Sequence, residues 1–170
     1  MFSAGVLPIA WHEDTMYFLV GKDTRGTWSD FGGKCEKVDR GSHVNTAARE
    51  FYEETLGTIC SSKAMAAYIS RSRPPLLKSI TQNGFSYSMF LCEIPFLPHL
   101  CTTFSDVYRY IEKSTRYIEK TEVRYVTYED LLRLPKRSVF ERTIGTHASA
   151  LATLATASPD TWRDAFTDFG

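Results

Sequence analysis

Arg49, Glu50, Glu53 and Glu54 lie within six residues of "TAAREFYEETLG", threaded by Ala47, Ala48, Phe51 and Leu56. If the segment is helical, positions three and four apart share a face. Glu50, Glu53 and Glu54 then fall in one sector about 100° wide, beside an apolar stripe that includes Ala47 and Phe51. Carboxylates held this closely repel one another. Arg49 relieves part of the repulsion by reaching Glu53 one turn on. A hard divalent cation relieves it better, because Mg²⁺ and Mn²⁺ favour oxygen ligands. The competing reading is a solvated helix face.

The upstream loop tips the balance. "GTWSDFGGKCEKVDRGSH" carries glycines at 26, 32, 33 and 41, the mark of unusual dihedrals or of close approach by the backbone. It is long enough to fold over the acidic face, where a carbonyl of Gly32 or Gly33 would complete a metal shell.

The stretch "GGKCEKVDRGSHVNTAAREFYEETLGTI" resembles the Nudix box, G-x5-E-x7-R-E-U-x-E-E-x-G-U with U apolar, over about a sixth of the chain. The match at Arg49-Glu50-Phe51-Tyr52-Glu53-Glu54 is complete, and "WSDFGGK" and "TAA" also look like the family. Two departures stand out. Gly33 and Arg49 are two residues further apart than in the pattern, so its first glutamate is replaced by Asp39, replaced by Glu36, or absent. The pattern's E-E-x-G is stretched to "EETLG".

The resemblance implies hydrolysis of a nucleoside diphosphate linked to a second moiety, in a free nucleotide derivative or in 5′-capped RNA, as in viral mRNA-decapping members. It implies Mg²⁺ or Mn²⁺ held by Glu53 and Glu54, with Glu50 a third ligand or the base that activates water. Arg49 would orient the glutamates, and the backbone of Gly33 or Gly32 would add a carbonyl. Nudix enzymes often recruit a further acidic residue from a loop across the site. Glu119 is the choice here, ahead of Glu122 and the weaker Glu93. The alternative is a Nudix-like binding module without catalysis.

For substrate contacts the sequence offers aromatic candidates at Phe2, Trp11, Trp28, Phe31, Phe85, Tyr87 and Tyr125, and two basic groups. One is Arg71, Arg73 and Lys78; the other is Arg133, Lys136 and Arg137. His12, His43, His99 and His147 show no ligand spacing.

The elements that would position these residues alternate. "AGVLPIAW" and "MYFLVGKD" read as strands around a turn at "HEDT", with Pro8 suited to an edge or a bulge. Residues 44–56 read as a helix, capped by Asn45 or Thr46 and stopped by Gly57. "AMAAYISR" is ambiguous, and "RSRPPLLK" is a break. "FSYSMFLCEI" and "EVRYVTY" read as strands, "FSDVYRYIEKSTRYIEK" as polar loop with some helical turn, and "YEDLLRL" as a short helix ended by Pro135. "SVFERTIGTHASALATLAT" reads as a last helix interrupted at Gly145. The expectation is α+β: a mixed sheet between helical layers, an α/β/α sandwich of Nudix type, in one domain over 1–157 with a loose tail over 158–170.

Composition agrees. The 170 residues are 43% hydrophobic, and 20 basic residues balance 20 acidic ones, so no global field draws the chain to nucleic acid or to a membrane. Cys35, Cys60, Cys92 and Cys101 match no zinc module and read as free thiols in a reducing compartment. The N-terminus lacks a signal-peptide pattern, and no apolar run approaches a membrane span. The expectation is a cytoplasmic protein with no obligate protein partner.

Overall fold

The computed structural model describes residues 1–112 and 118–169. Strands β1 (Phe2–His12) and β2 (Thr15–Asp23) are joined by Glu13 and Asp14, both left-handed, as a tight hairpin turn requires. The short strands β3 (Trp28–Ser29) and β4 (Phe31–Lys34) lead to helices α1 (His43–Glu54) and α2 (Ser62–Ser72). Strands β5 (Leu76–Ile80) and β6 (Ser86–Glu93) form a hairpin. Then come α3 (Leu100–Glu112), β7 (Lys120–Val126), α4 (Tyr128–Arg133), α5 (Ser138–Thr146), α6 (Ala148–Ala155) and a 3-10 helix over Trp162–Phe169.

The sheet runs β3-β2-β1-β6-β5, with β4 also pairing β1 and β7 pairing β2. Among the described strands β1 and β6 pair in parallel and the other pairs are antiparallel, so the sheet is mixed. Its two faces are separately covered. Leu7, Ile9, Phe18 and Val20 pack against Phe140, Ile144 and Leu151 of α5 and α6. Val6, Ala10 and Leu19 pack against Phe51 of α1, Met65 of α2 and Phe104 of α3. This is period-two alternation of β1 and β2 expressed as two cores. Each fully buried Phe, Leu or Ile contributes about 1.5–3 kcal/mol. The expected sandwich, with residues 44–56 on one face and 138–155 on the other, is what the chain forms.

Several local expectations need correction. Pro8 lies in a central strand. It is tolerated because β1 pairs β4 through Ser3–Val6 and β2 through Ile9–His12, so the residue without an N–H stands where the neighbour changes. The cap of α1 is Ser42, whose hydroxyl accepts from Asn45 N–H, and not Asn45 or Thr46. "AMAAYISR" is helical, started by Ser61 accepting from Ala64 N–H. Leu76 to Lys78 of the supposed break belong to β5. The polar "FSDVYRYIE" belongs to α3, whose Leu100 and Phe104, four apart, supply a buried stripe; the remainder at 113–117 lies outside the described residues. The last helix breaks at His147, two residues after Gly145. Within the segment from Ser158, expected as a loose tail, Trp162 is 2% exposed in the core, and its indole N–H donates to Glu93 Oε2 at 2.9 Å.

Candidate functional site

Helix α1 sits close to the sheet because its inner face is small where the two touch. Ala47 and Ala48 are buried, and Phe51 meets Phe31 of β4 edge to face. That docking turns Glu50 and Glu54, one turn apart, toward β4, where they are 8% and 3% exposed. Glu53 points outward. The acidic residues therefore do not form a single face: two are buried and one is exposed.

Gly33 makes room for Glu50. A Cβ there would stand 2.6 Å from Glu50 Cδ, so only glycine lets this carboxylate lie on the strand. The N–H of Gly32 donates to Glu54 Oε2 at 2.7 Å. Gly26 and Gly41 have positive φ, while Gly32 and Gly33 are needed for close approach; both expected uses of glycine occur in one loop.

Arg49 is held on three sides. Its Nε and Nη2 donate to the two oxygens of Asp39 at 2.9 and 3.0 Å, and Nη2 also donates to Lys34 O at 2.9 Å. Its Nη1 lies 2.9 Å from Glu50 Oε1 and 3.0 Å from Glu53 Oε2. Asp39 accepts further from Glu36 N–H and the Thr46 hydroxyl. Burial pushes Asp39 up, but these hydrogen bonds and Arg49 outweigh it and hold the carboxyl below its usual range. Among the three options for the first glutamate of the box, Asp39 is the residue that binds the arginine. Glu36 lies at 4.0 Å and is exposed. The longer loop is taken up by left-handed Arg40 and Gly41, and the stretched helix end by left-handed Leu56 and Gly57.

Behind Glu54 is a buried polar cluster that the residue pattern does not reveal. Lys120, 1% exposed, donates to Ser29 Oγ at 2.5 Å, and its Nζ lies 3.7 Å from Glu54 Oε1. Among the described residues Glu54 Oε1 has no hydrogen-bond partner. On the other face of the sheet, the Tyr87 hydroxyl donates to Asp30 Oδ2. Gly5 and Gly32, paired across β1 and β4, leave space for that bond, since a Cβ on either would meet the Tyr87 hydroxyl at 2.5 Å. Burial pushes Asp30 up to about 6. It pushes Glu50 up to about 7, with Arg49 opposing and Glu53 and Glu119 adding. It raises Glu54 also, against Lys120 and with help from Glu119, Asp30 and Glu50.

A cleft of about 200 Å³ opens on the Asp30 and Tyr87 side, lined by Asp30, Gly32, Gly33, Lys34, Phe85, Tyr87 and Arg137; it borders the glutamates only through Gly32 and Gly33. It meets a wider groove of about 710 Å³ at Arg137 and Ser138, and Glu119 lies in that groove. Glu119 is thus near enough for its charge to act on Glu50 and Glu54. Glu122 instead pairs with Lys22 and Arg124, and Glu93 is taken by Trp162. Of the two basic groups, only Arg137 reaches the cleft. Lys136 donates to the carbonyls of Leu131, Leu132 and Leu134, Arg133 pairs with Glu129, and Arg71 reaches back to Ala67 O. Among the aromatic candidates, Phe85 and Tyr87 line the cleft. Phe31 is core, Phe2 stacks on His43, and Trp28 lies under Arg124.

The donor set suits a hard cation: buried carboxylate oxygens, one of them without a partner, beside a backbone loop. Among the described residues no three acidic, histidine or cysteine side chains converge into a ready cage, because Glu53 is drawn to Arg49 and Glu54 to Gly32 N–H.

No family model and no curated protein sequence matches the chain. Solved structures do. The Nudix domain of Shewanella oneidensis NrtR, complexed with ADP ribose, superposes with a TM-score of 0.52 at 14% identity, over 84% of this chain and 80% of that one. A C. elegans Ap4A hydrolase binary complex gives 0.55 at 12% identity, over 89% and 98%. This chain has the Nudix fold. The C-terminal domain of mouse MUTYH, in complex with human PCNA, is similar too, with a TM-score of 0.51 at 12% identity over 95% and 96%. Within the Nudix fold of this chain, the box residues fall on β4, the following loop and α1.

Proposed function

We propose that the chain is a metal-dependent Nudix pyrophosphohydrolase that cleaves a nucleoside diphosphate linked to a second moiety, in a free nucleotide derivative or in capped RNA. The observation that carries this is the pair Glu50 and Glu54, buried one turn apart against Gly32 and Gly33, with one Glu54 oxygen unpartnered. Buried carboxylates are costly unless cations or protons meet them; Arg49 and Lys120 offset part of this charge, and a metal ion would offset the rest.

Glu50, Glu53 and Glu54 would hold Mg²⁺ or Mn²⁺, with a carbonyl of Gly33 or Gly32. When bound, such an ion neutralises charge on the pyrophosphate and lowers the pKa of water. The chain's own residues do the rest. Arg49, fixed by Asp39, keeps Glu50 and Glu53 oriented. Lys34 and Arg137 supply positive charge in the cleft for phosphate oxygens, and Phe85 offers a ring for a base. Glu119 would supply the further carboxylate across the site, and it or Glu50 would take a proton from the attacking water. The nucleotide derivatives in the names of the two Nudix-fold neighbours, ADP ribose and Ap4A, are of the proposed substrate class. All four cysteines are free thiols, which fits a cytoplasmic setting, and among the described residues no helix is long and apolar enough to cross a membrane.

A second reading, a nucleotide-binding module without catalysis, is favoured by one observation: Lys120 already places a positive charge beside Glu54. A product screen with Mg²⁺ and Mn²⁺ over dinucleotides, nucleotide sugars and capped RNA separates the two. Release of nucleoside phosphates supports the enzyme; saturable binding with no product from any of them supports the module.

A further inference from the structure

Lysine is among the residues least often buried, because removing an ammonium from water is costly. Here three features of the fold bring one inside. The first is a bulge: β7 pairs β2 in register from Val126 back to Glu122, and then Asp23 faces Lys120, so Thr121 is extra. One extra residue exchanges the faces of a strand. Without it, Lys120 would share a face with Glu122 and Arg124; with it, Lys120 turns toward α1. The second is Gly21. A Cβ there would lie 2.8 Å from Lys120 Cδ, so the missing side chain is the channel for the lysine stem. The third is the end of that channel, where Ser29 Oγ accepts from Nζ and the Phe31 ring lies 6.0 Å away.

The ammonium so delivered stops 3.7 Å from Glu54 Oε1, which is ion-pair range and beyond a hydrogen bond. Glu54 Oε1 is therefore compensated in charge but, though buried, accepts no hydrogen bond among the described residues, which leaves it a lone pair for a second cation. We infer that Lys120 is a built-in counter-ion of the carboxylate cluster, which holds Glu54 in place when no metal is bound and competes with a metal ion for the same oxygen. The inference rests on the reading of Glu50 and Glu54 as metal-holding. Lys120 acts through Glu54 and is a positioning residue.

The test is Mn²⁺ binding, followed by calorimetry and by paramagnetic resonance of the free ion, in the wild-type chain, Lys120→Met and Lys120→Gln. Methionine fills the Gly21 channel without a charge, and glutamine keeps a donor near Ser29. Removing a unit charge about 4 Å from a ligand oxygen should tighten Mn²⁺ binding roughly tenfold or more. Thermal unfolding should show the opposite for the metal-free chain: both variants melt lower than wild type, and Mn²⁺ raises their melting points by more. Unchanged or weaker Mn²⁺ binding in the folded variants overturns the inference while leaving the metal site standing. Failure of Mn²⁺ to restore fold in variants that are unfolded without it also overturns it. If the wild type itself binds no Mn²⁺, the metal reading falls and takes this inference with it.

Discussion

Asp39 and Arg49 are joined by two hydrogen bonds, 2.9 and 3.0 Å long, across ten residues of chain. The pair ties the loop after β4 to the helix that carries the carboxylates. Arg49 in turn touches Glu50 and Glu53, so the loop and the acidic residues are set by one guanidinium.

Removing Asp39 should therefore cost fold and site together. Asp39→Asn neutralises the buried, two-point partner of the partly buried Arg49 guanidinium, which Glu50 and Glu53 still contact, and the expected loss is about 2 kcal/mol in urea unfolding. Glu36→Gln should change stability by less than about 0.5 kcal/mol, since Glu36 is 65% exposed and 4.0 Å away. The reverse ranking would mean that Glu36 takes the role assigned here to Asp39.

Glu50 contributes one part of the pH dependence of the metal-free chain, beside the raised Asp30 and Glu54. Its folded pKa of about 7 lies above the ordinary 4.5, so the folded state binds the proton more tightly than the unfolded state. Its contribution to stability is full below pH about 4.5 and is lost as pH rises through about 7, in all about 3 kcal/mol. Glu50→Gln removes this part of the slope. Urea unfolding of both chains in chelator between pH 5 and 8 checks it; equal slopes would show that Glu50 is not raised.

Gly33→Ala tests the close approach. Its Cβ would meet the Glu50 carboxylate, which must then leave its place on β4. The expected result is at least about a tenfold loss of Mn²⁺ affinity, an effect of the size seen when supports of metal ligands are removed. Gly26→Ala, where a Cβ meets nothing, should leave affinity unchanged, although its positive φ makes it somewhat less stable.

Arg137 and the pair Arg71 and Arg73 separate the kinds of substrate. Arg137→Ala should lower cleavage of a cap dinucleotide and of capped RNA alike, by about tenfold or more, because Arg137 lines the cleft. Arg71→Ala with Arg73→Ala should leave the dinucleotide unaffected. If an RNA strand runs past the end of α2, the double variant also flattens the salt dependence of capped-RNA cleavage. An equal effect of the double variant on both substrates would exclude that path.

The sandwich and the acidic helix could be read from the sequence because their signals are local: alternation in β1 and β2, and a helical spacing of Ala47, Phe51 and the glutamates. Residues brought in by register could not. Lys120 looks like any strand-end lysine until the bulge at Thr121 turns it inward, and Asp30 and Tyr87 are 57 positions apart. The choice of Asp39 over Glu36 depended on how a 3-10 turn and two left-handed residues fold the longer loop, which spacing does not specify. Helix α3 was hidden because its buried side chains are only every fourth residue in a polar stretch.

The central claim is that the buried glutamate pair makes a metal site for pyrophosphate cleavage. Its most direct test is turnover of a dinucleoside polyphosphate by Glu54→Gln and wild type with saturating Mg²⁺ or Mn²⁺, with circular dichroism to confirm the fold. Glutamine keeps the shape and the contact with Gly32 N–H while removing the charge. The account predicts a fall of about two to three orders of magnitude with the fold preserved. Turnover near that of wild type in folded Glu54→Gln would contradict it.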